Sequence, residues 1–193
     1  LGKTVKDAIL NDIQESIRVK SEILKTHVPL IETAARKVLE SLEKGGKVLF
    51  FGNGGSASDC QHLAAEIVGR YEKERKGFPS IALTTDTSIL TAVGNDYGFD
   101  RIFERQVEAL GRPGDVAFGL STSGNSKNVL LGIQKAKALG LFTVGLSGRD
   151  GGELKTLVDL SIVVPSKKTA RIQESHIMIG HIICERVDEL LHG

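Results

Sequence analysis

The chain of 193 residues is 40% hydrophobic and 25% charged, with a formal net charge of +1, a balance that fits one globular domain able to bury a full core. No long basic or acidic block occurs, so composition makes no case for nucleic acid or an anionic membrane surface, and any anion site must be local. Two cysteines, Cys60 and Cys184, supply neither a disulfide framework nor a C-x-x-C motif, and no signal peptide or long apolar span is visible, so a reducing cytoplasm is the expected compartment.

From Thr4 to about Lys44 the pattern is helical: Val5, Ile9, Ile13 and Ile17 recur about every four residues, as do Leu30, Ala34, Val38 and Leu42. His27-Val28-Pro29 divides this arm into two helices. The first carries a narrow apolar stripe with no sheet neighbour in sequence, which predicts packing on another helix or a second subunit, and hence an oligomer. Gly45-Gly46 ends the second helix. Strands and helices then alternate. Strands are expected at Lys47 to Phe51, Ser80 to Thr84, Asp115 to Leu120, Phe142 to Leu146 and Leu160 to Val164. Helices are expected at Ser56 to Glu74, Phe99 to Leu110, Ser126 to Leu139 and Thr169 to Leu191. This alternation predicts an α/β fold: a doubly wound parallel sheet of about five strands with helices on both faces, residues 45–193, preceded by the helical arm, residues 1–44.

Two loops at the expected carboxyl ends of strands are built for an anion. Gly52-Asn53-Gly54-Gly55-Ser56 follows the first strand, and Ser121-Thr122-Ser123-Gly124-Asn125-Ser126 follows the third. Glycine permits close backbone approach, helix-opening N–H groups attract anions, and the hydroxyls of the second loop solvate a phosphate without a fixed charge. Neither loop reads G-x-x-x-x-G-K-[ST] or G-x-G-x-x-G, so no nucleotide is expected. Gly and Ser are also ordinary turn formers, and a plain tight turn is the alternative for each loop alone.

The helix after the first loop puts His62 and Glu66 at i and i+4 on one face. That spacing suits two metal ligands, or a base beside its electrostatic partner, and equally a solvated surface pair. In the last helix His181 sits in the apolar run Ile177 to Ile183, as a site residue or as a core histidine with a polar partner. Gln173 lies about 12 Å before it along a continuous helix. For both to reach one centre, Gln173 must stand at or before the helix start, or the two must come from different subunits. Asp96, in the polar turn Gly94 to Gly98, is placed to accept from sugar hydroxyls or to close an Asx turn. Arg70 is placed to pair with Glu66 or a substrate oxygen, or with a surface neighbour. His176 points away from the His181 face and reads as structural or exposed; His27 and His192 are assigned no role.

The segments GNGGSASDCQHLAAEIVGRY, VGNDYGF, GLSTSGNSKNVL and TARIQESHIMIGH resemble, in order and spacing, the sugar isomerase (SIS) domain family, and within it the isomerases of sedoheptulose 7-phosphate. The resemblance runs from about Gly46 to His181. It implies a flavodoxin-like fold and a cytoplasmic homotetramer with active sites at subunit interfaces. The implied reaction is isomerisation of sedoheptulose 7-phosphate to D-glycero-D-manno-heptose 7-phosphate, the first step of bacterial heptose synthesis for lipopolysaccharide core or surface glycans. It further implies Glu66 as general base and His181 as its partner acid, and Zn2+ on His62, Glu66, Gln173 and His181. Phosphate would be held by Ser121, Ser123 and Ser126, with substrate touched also by Asn53, Gly54, Gly55, Asn95, Asp96, Thr122, Glu66 and Gln173. A metal-bound Glu66 would be a weaker base, so its ligand and base roles compete. The chain departs from some relatives at Ala170, where they carry Asp. A non-catalytic relative that binds the replication initiator or senses a phosphosugar shares parts of these motifs and is the alternative; the presence of both Glu66 and His181 favours the enzyme.

Overall fold

The computed structural model describes residues 4–190. Five strands, β1 Val48–Gly52, β2 Ser80–Ala82, β3 Val116–Leu120, β4 Phe142–Gly148 and β5 Leu160–Val164, form one parallel sheet in the order β2-β1-β3-β4-β5. The helices are α1 Val5–Thr26, α2 Val28–Glu43, α3 Gly55–Val68, α4 Thr87–Tyr97, α5 Ile102–Leu110, α6 Lys127–Ala138, α7 Leu154–Leu157 and α8 Thr169–Leu190. The expected doubly wound, flavodoxin-like sheet is present, and its winding reverses between β1 and β3.

Both faces of the sheet are covered, so its central strands are apolar throughout and their alternation only sorts side chains between two cores. Val48 and Phe50 of β1 face the layer of α2, α3 and α8, whereas Leu49 and Phe51 face α5 and α6. Phe50 stacks on Phe118 of β3 at 5.0 Å between ring centroids, and Phe51 meets Phe103 of α5 at 5.4 Å. Burying each such ring stabilises the fold by roughly 1.5–3 kcal/mol.

The arm divides at His27 as expected, and His27 has a structural role that its sequence position did not suggest. Its Nε2–H donates to the Val163 carbonyl of β5 at 2.9 Å, tying the helix break to the edge strand. α1 opens with a capping box in which the Thr4 hydroxyl accepts the Asp7 N–H at 3.1 Å and the Asp7 carboxylate accepts the Thr4 N–H at 3.0 Å. It docks on α8 through polar contacts: Arg171 donates to the Asp12 carbonyl, Ser16 donates to Glu174, and Lys168 pairs with Glu15. Only Val19 and Ile23 of α1 are buried, while Val5, Ile9, Ile13 and Ile17 are 54–79% exposed. The predicted stripe therefore finds no partner in its own chain's core.

Several boundaries differ from expectation. α3 stops at Val68 instead of reaching Glu74, because the Arg75 guanidinium takes the carbonyls of Glu66, Ile67 and Gly69 at 3.0–3.2 Å and caps the helix from outside. The segment Gly94 to Gly98 is not a free turn. It is the last turn of α4, stopped where Gly98 takes φ +89°. Phe99 to Leu110 begins as a 3-10 turn, Phe99–Arg101, before α5. The expected end of the last helix, Leu191, and His192 lie outside the described residues. No described helix is long and apolar enough to cross a membrane.

His176 resolves to the structural option. It is fully buried on α8, and its Nε2–H donates to the Ser147 carbonyl at the end of β4 at 3.0 Å. Burial, only partly offset by that bond, pushes its pKa down to about 4. Below about pH 6.5 the unfolded chain takes up a proton here that the folded chain refuses, so stability is complete above that pH and is lost as the pH falls toward 4. The expected loss is about 3 kcal/mol. His176→Gln, which can still donate to Ser147 but cannot titrate, is expected to flatten this part of the stability profile in urea melts taken from pH 7 to pH 4; an unchanged slope refutes the assignment.

Candidate active site

The two glycine- and serine-rich loops lie side by side where the winding reverses, as the carboxyl ends of β1 and β3 pair through Gly52 and Leu120. Ligands of open α/β sheets bind at such a point. The loops are clasped by a reciprocal amide pair: Asn53 donates to the Asn128 side-chain oxygen, and Asn128 donates to that of Asn53, both at 2.9 Å. Asn128 is buried and was not singled out from sequence, where nothing separates it from any helix-opening asparagine.

The serine loop gathers three hydroxyls at the start of α6. The Ser121 and Ser126 hydroxyls are 2.9 Å apart, with that of Ser123 3.5 Å from Ser121. The Ser126 N–H approaches the Ser121 hydroxyl at 3.4 Å. Ser126 occupies the N-cap of α6, yet its side chain makes no capping bond. Its hydroxyl joins the group above the helix N-terminus, where N–H groups await an acceptor. Thr122 lies within this loop, half-buried. Gly54 takes φ +57° at the turn into α3.

α3 and α8 run in the same direction, side by side. Gly55 abuts the Gln173 side chain and Leu63 packs on Gly180, where any Cβ would drive into the Leu63 side chain. This close approach brings His181 to His62. Their Nε2 atoms are 3.4 Å apart with ring centroids at 5.0 Å, and His62 Nε2 is 3.1 Å from Glu66 Oε1. Glu66 is three-quarters buried and His62 half-exposed. The core option for His181 is set aside, since its ring is only partly buried and meets that of His62; His62 and Glu66 form a partly exposed i, i+4 pair, as the surface option also expects.

Two residues missed from sequence join this group. The Tyr71 ring lies 5.6 Å from that of His181. Asp59 has Oδ2 buried with no hydrogen-bond partner among the described residues. Burial pushes its pKa up, opposed by the charges of His62 and His181. Asp59, His62 and Glu66 fall at i, i+3 and i+7, a helical face that the sequence displays.

Other expected residues are not gathered here. Gln173 sits inside α8, beyond its Thr169 start, against the first loop and two turns from His181, so it does not meet the single-chain condition for sharing a centre. Asn95 and Asp96 are exposed at the end of α4, where Asn95 donates to Asp96 at 2.8 Å. Arg70 does not pair with Glu66; it donates to the Glu72 carbonyl and pairs with Glu74 at 3.4 Å. Ala170 is exposed in the first turn of α8.

The donor chemistry suits zinc, since tetrahedral bonds of about 2.0–2.2 Å put neighbouring donors about 3.3–3.5 Å apart, close to the two spacings at His62 Nε2. Two matched edges do not complete a polyhedron. Among the described residues of this one chain, no group of three or more His, Cys, Asp and Glu is set to hold a metal ion.

A doubly wound parallel sheet with a serine-rich loop after β3 and a His–His–Glu group between α3 and α8 fits a domain of the SIS type. The SIS domain pattern matches residues 13–148, and the chain belongs to that family. It is 53% identical over 183 residues to the phosphoheptose isomerase of Roseiflexus sp. (strain RS-1), covering 95% of this chain and 93% of that one. It is 54% identical over 178 residues to that of Aquifex aeolicus, covering 92% and 93%. Among solved structures, the phosphoheptose isomerase of Neisseria gonorrhoeae superposes with a TM-score of 0.92 at 45% identity, covering 97% of this chain and all of the other.

Proposed function

We infer that this chain is an aldose–ketose isomerase that interconverts sedoheptulose 7-phosphate and D-glycero-D-manno-heptose 7-phosphate, supplying bacterial heptose synthesis in the cytoplasm. The observation that carries the reading is the His181–His62–Glu66 group, held between α8 and α3, the helix that leaves the loop paired with the serine loop. Full-length relatives bearing isomerase names decide against the initiator-binding alternative.

In the forward direction Glu66 removes the C1 proton of the ketose while His181 protonates the C2 oxygen, giving a cis-enediol. Glu66 then returns a proton to C2 as His181 takes the proton from the C1 oxygen, leaving the aldehyde. No net oxidation occurs. Phosphate held by Ser121, Ser123 and Ser126 supplies binding energy that orients the distant reacting carbons, with Asn53, Gly54, Gly55 and Thr122 along the sugar. His62, Glu66 and His181 do not by themselves make a metal site in one chain; they would hold a zinc ion once a further donor, such as Gln173 of a neighbouring copy, completed the set. An ion held there would supply Lewis-acid polarisation of the sugar carbonyl.

The exposed stripe of α1 and the separation of Gln173 from His181 support a homotetramer whose active sites combine subunits, the arrangement in which Asn95 and Asp96 would also reach substrate. Incubation with sedoheptulose 7-phosphate in deuterated water tests the chemistry. The aldose is expected to form, with deuterium at C2 by NMR, and failure of the sugars to interconvert overturns the assignment.

A further inference from the structure

The hydroxyl cradle contains no fixed positive charge, although the ligand assigned to it is a phosphate dianion. A groove of about 550 Å³ opens beside the cradle, lined by Ser123 and Asn125 of the serine loop together with Arg149, Asp150 and Lys167. Neither Arg149 nor Lys167 has an ion-pair partner among the described residues.

Arg149 is held in an unfavourable backbone conformation. Among the described residues it alone, apart from glycines, has positive φ, at +59°, where a Cβ is strained by about 1 kcal/mol or more. The loop that holds it, directly after β4, is pressed onto the cradle. Gly124, at φ +71°, leaves no room for a Cβ against the Gly151 backbone. The Glu153 N–H donates to the Asn125 side-chain oxygen at 2.9 Å, and the Leu154 N–H donates to the Gly124 carbonyl at 3.0 Å. The Arg149 N–H donates to the Ser166 carbonyl at 2.9 Å, which joins the Arg149 turn to the segment carrying Lys167. Two cations from separate segments are thus brought to one side of a phosphate cradle, one of them at a conformational cost.

Resting on the reading of the serine loop as a phosphate cradle, we propose that Arg149 and Lys167 form its cationic flank, a phosphate-recognition element that selects the doubly charged ester. Both side chains are exposed, so their contribution is screened by salt, unlike that of the uncharged hydroxyls.

The test uses competitive inhibition of turnover by inorganic phosphate, with KM for the sugar phosphate measured in parallel. Arg149→Gly removes the guanidinium and accepts positive φ, so melting temperature is expected to hold or rise. Its inhibition constant and KM are expected to increase together by about three- to tenfold at low ionic strength, with the difference shrinking as salt is raised to about 1 M. Arg149→Lys should restore most of the loss, and Lys167→Ala should reproduce it. Unchanged phosphate inhibition at low salt in both Arg149→Gly and Lys167→Ala overturns the flank. Ser121→Ala separates the two readings: if it alone weakens phosphate, the cradle stands and the flank falls, and if all three variants match the parent, both fall.

Discussion

Glu66→Gln is expected to lower kcat for sedoheptulose 7-phosphate by at least about 10³-fold while leaving the folded chain intact. The amide is nearly isosteric and retains an oxygen facing His62, which now lies 3.1 Å from Glu66 Oε1, but it cannot accept a proton from carbon. The backbone at this position is held independently, because the Glu66 carbonyl accepts from Arg75 at 3.0 Å. Circular dichroism and melting temperature should therefore stay close to the parent's. Metal content measured on the same samples separates loss of the base from loss of a ligand. Retention of a tenth or more of parental kcat, about 1.4 kcal/mol of barrier or less, would remove Glu66 from the proton-transfer step.

The largest effect on stability is expected at Asp188. Its carboxylate and the Arg75 guanidinium are each 1% exposed and meet at 2.6 Å. Asp188 also accepts the N–H groups of Glu72 and Lys73 at 2.5 and 2.9 Å. Burial alone would raise its pKa, but these donors together hold the carboxyl below the usual range. Asp188→Ala leaves a buried guanidinium uncompensated and two N–H groups unpaired, a loss of about 3–5 kcal/mol. For a chain of this size that corresponds to a fall of roughly 6–20 °C in melting temperature. Activity should fall too, since Arg75 caps the helix that presents His62 and Glu66, and Asp188 lies on the helix that presents His181. An Arg75→Met, Asp188→Leu double variant is expected to be more stable than Asp188→Ala, because it removes the unpaired charge. A loss under about 1 kcal/mol for Asp188→Ala in urea denaturation contradicts this account.

The same ion pair sets a helix end that differs from the one periodicity predicts. Residues 69–74 continue a plausible helix by periodicity, and the stop comes from a guanidinium and a carboxylate supplied by later parts of the chain. Local signals cannot report such a cap. Gly94, Asn95 and Asp96 are turn formers by propensity, yet they complete a helix closed at Gly98. His27 was passed over because its partner, Val163, is 136 positions away. By contrast the strands, the two loops and the pair His62–Glu66 were legible, since apolar runs, glycine placement and i, i+4 spacing are local properties.

What the amino-acid sequence determined by itself was the order of the strands and of the helices other than α4 and α7, the placement of two Gly/Ser-rich loops at strand ends, and the side-chain types available near them. These follow from backbone preferences and periodic burial. Only the tertiary structure decided which of those types meet. Glycine at position 180 lets α8 lie against α3, which puts His181 beside His62 and leaves Gln173 two turns away at the first loop. Contacts of the loop after β4 with Gly124, Asn125 and Ser166 likewise bring Arg149 to the edge of the serine loop. Such meetings depend on how closely distant helices and loops approach in three dimensions, a distance that no spacing along the chain encodes.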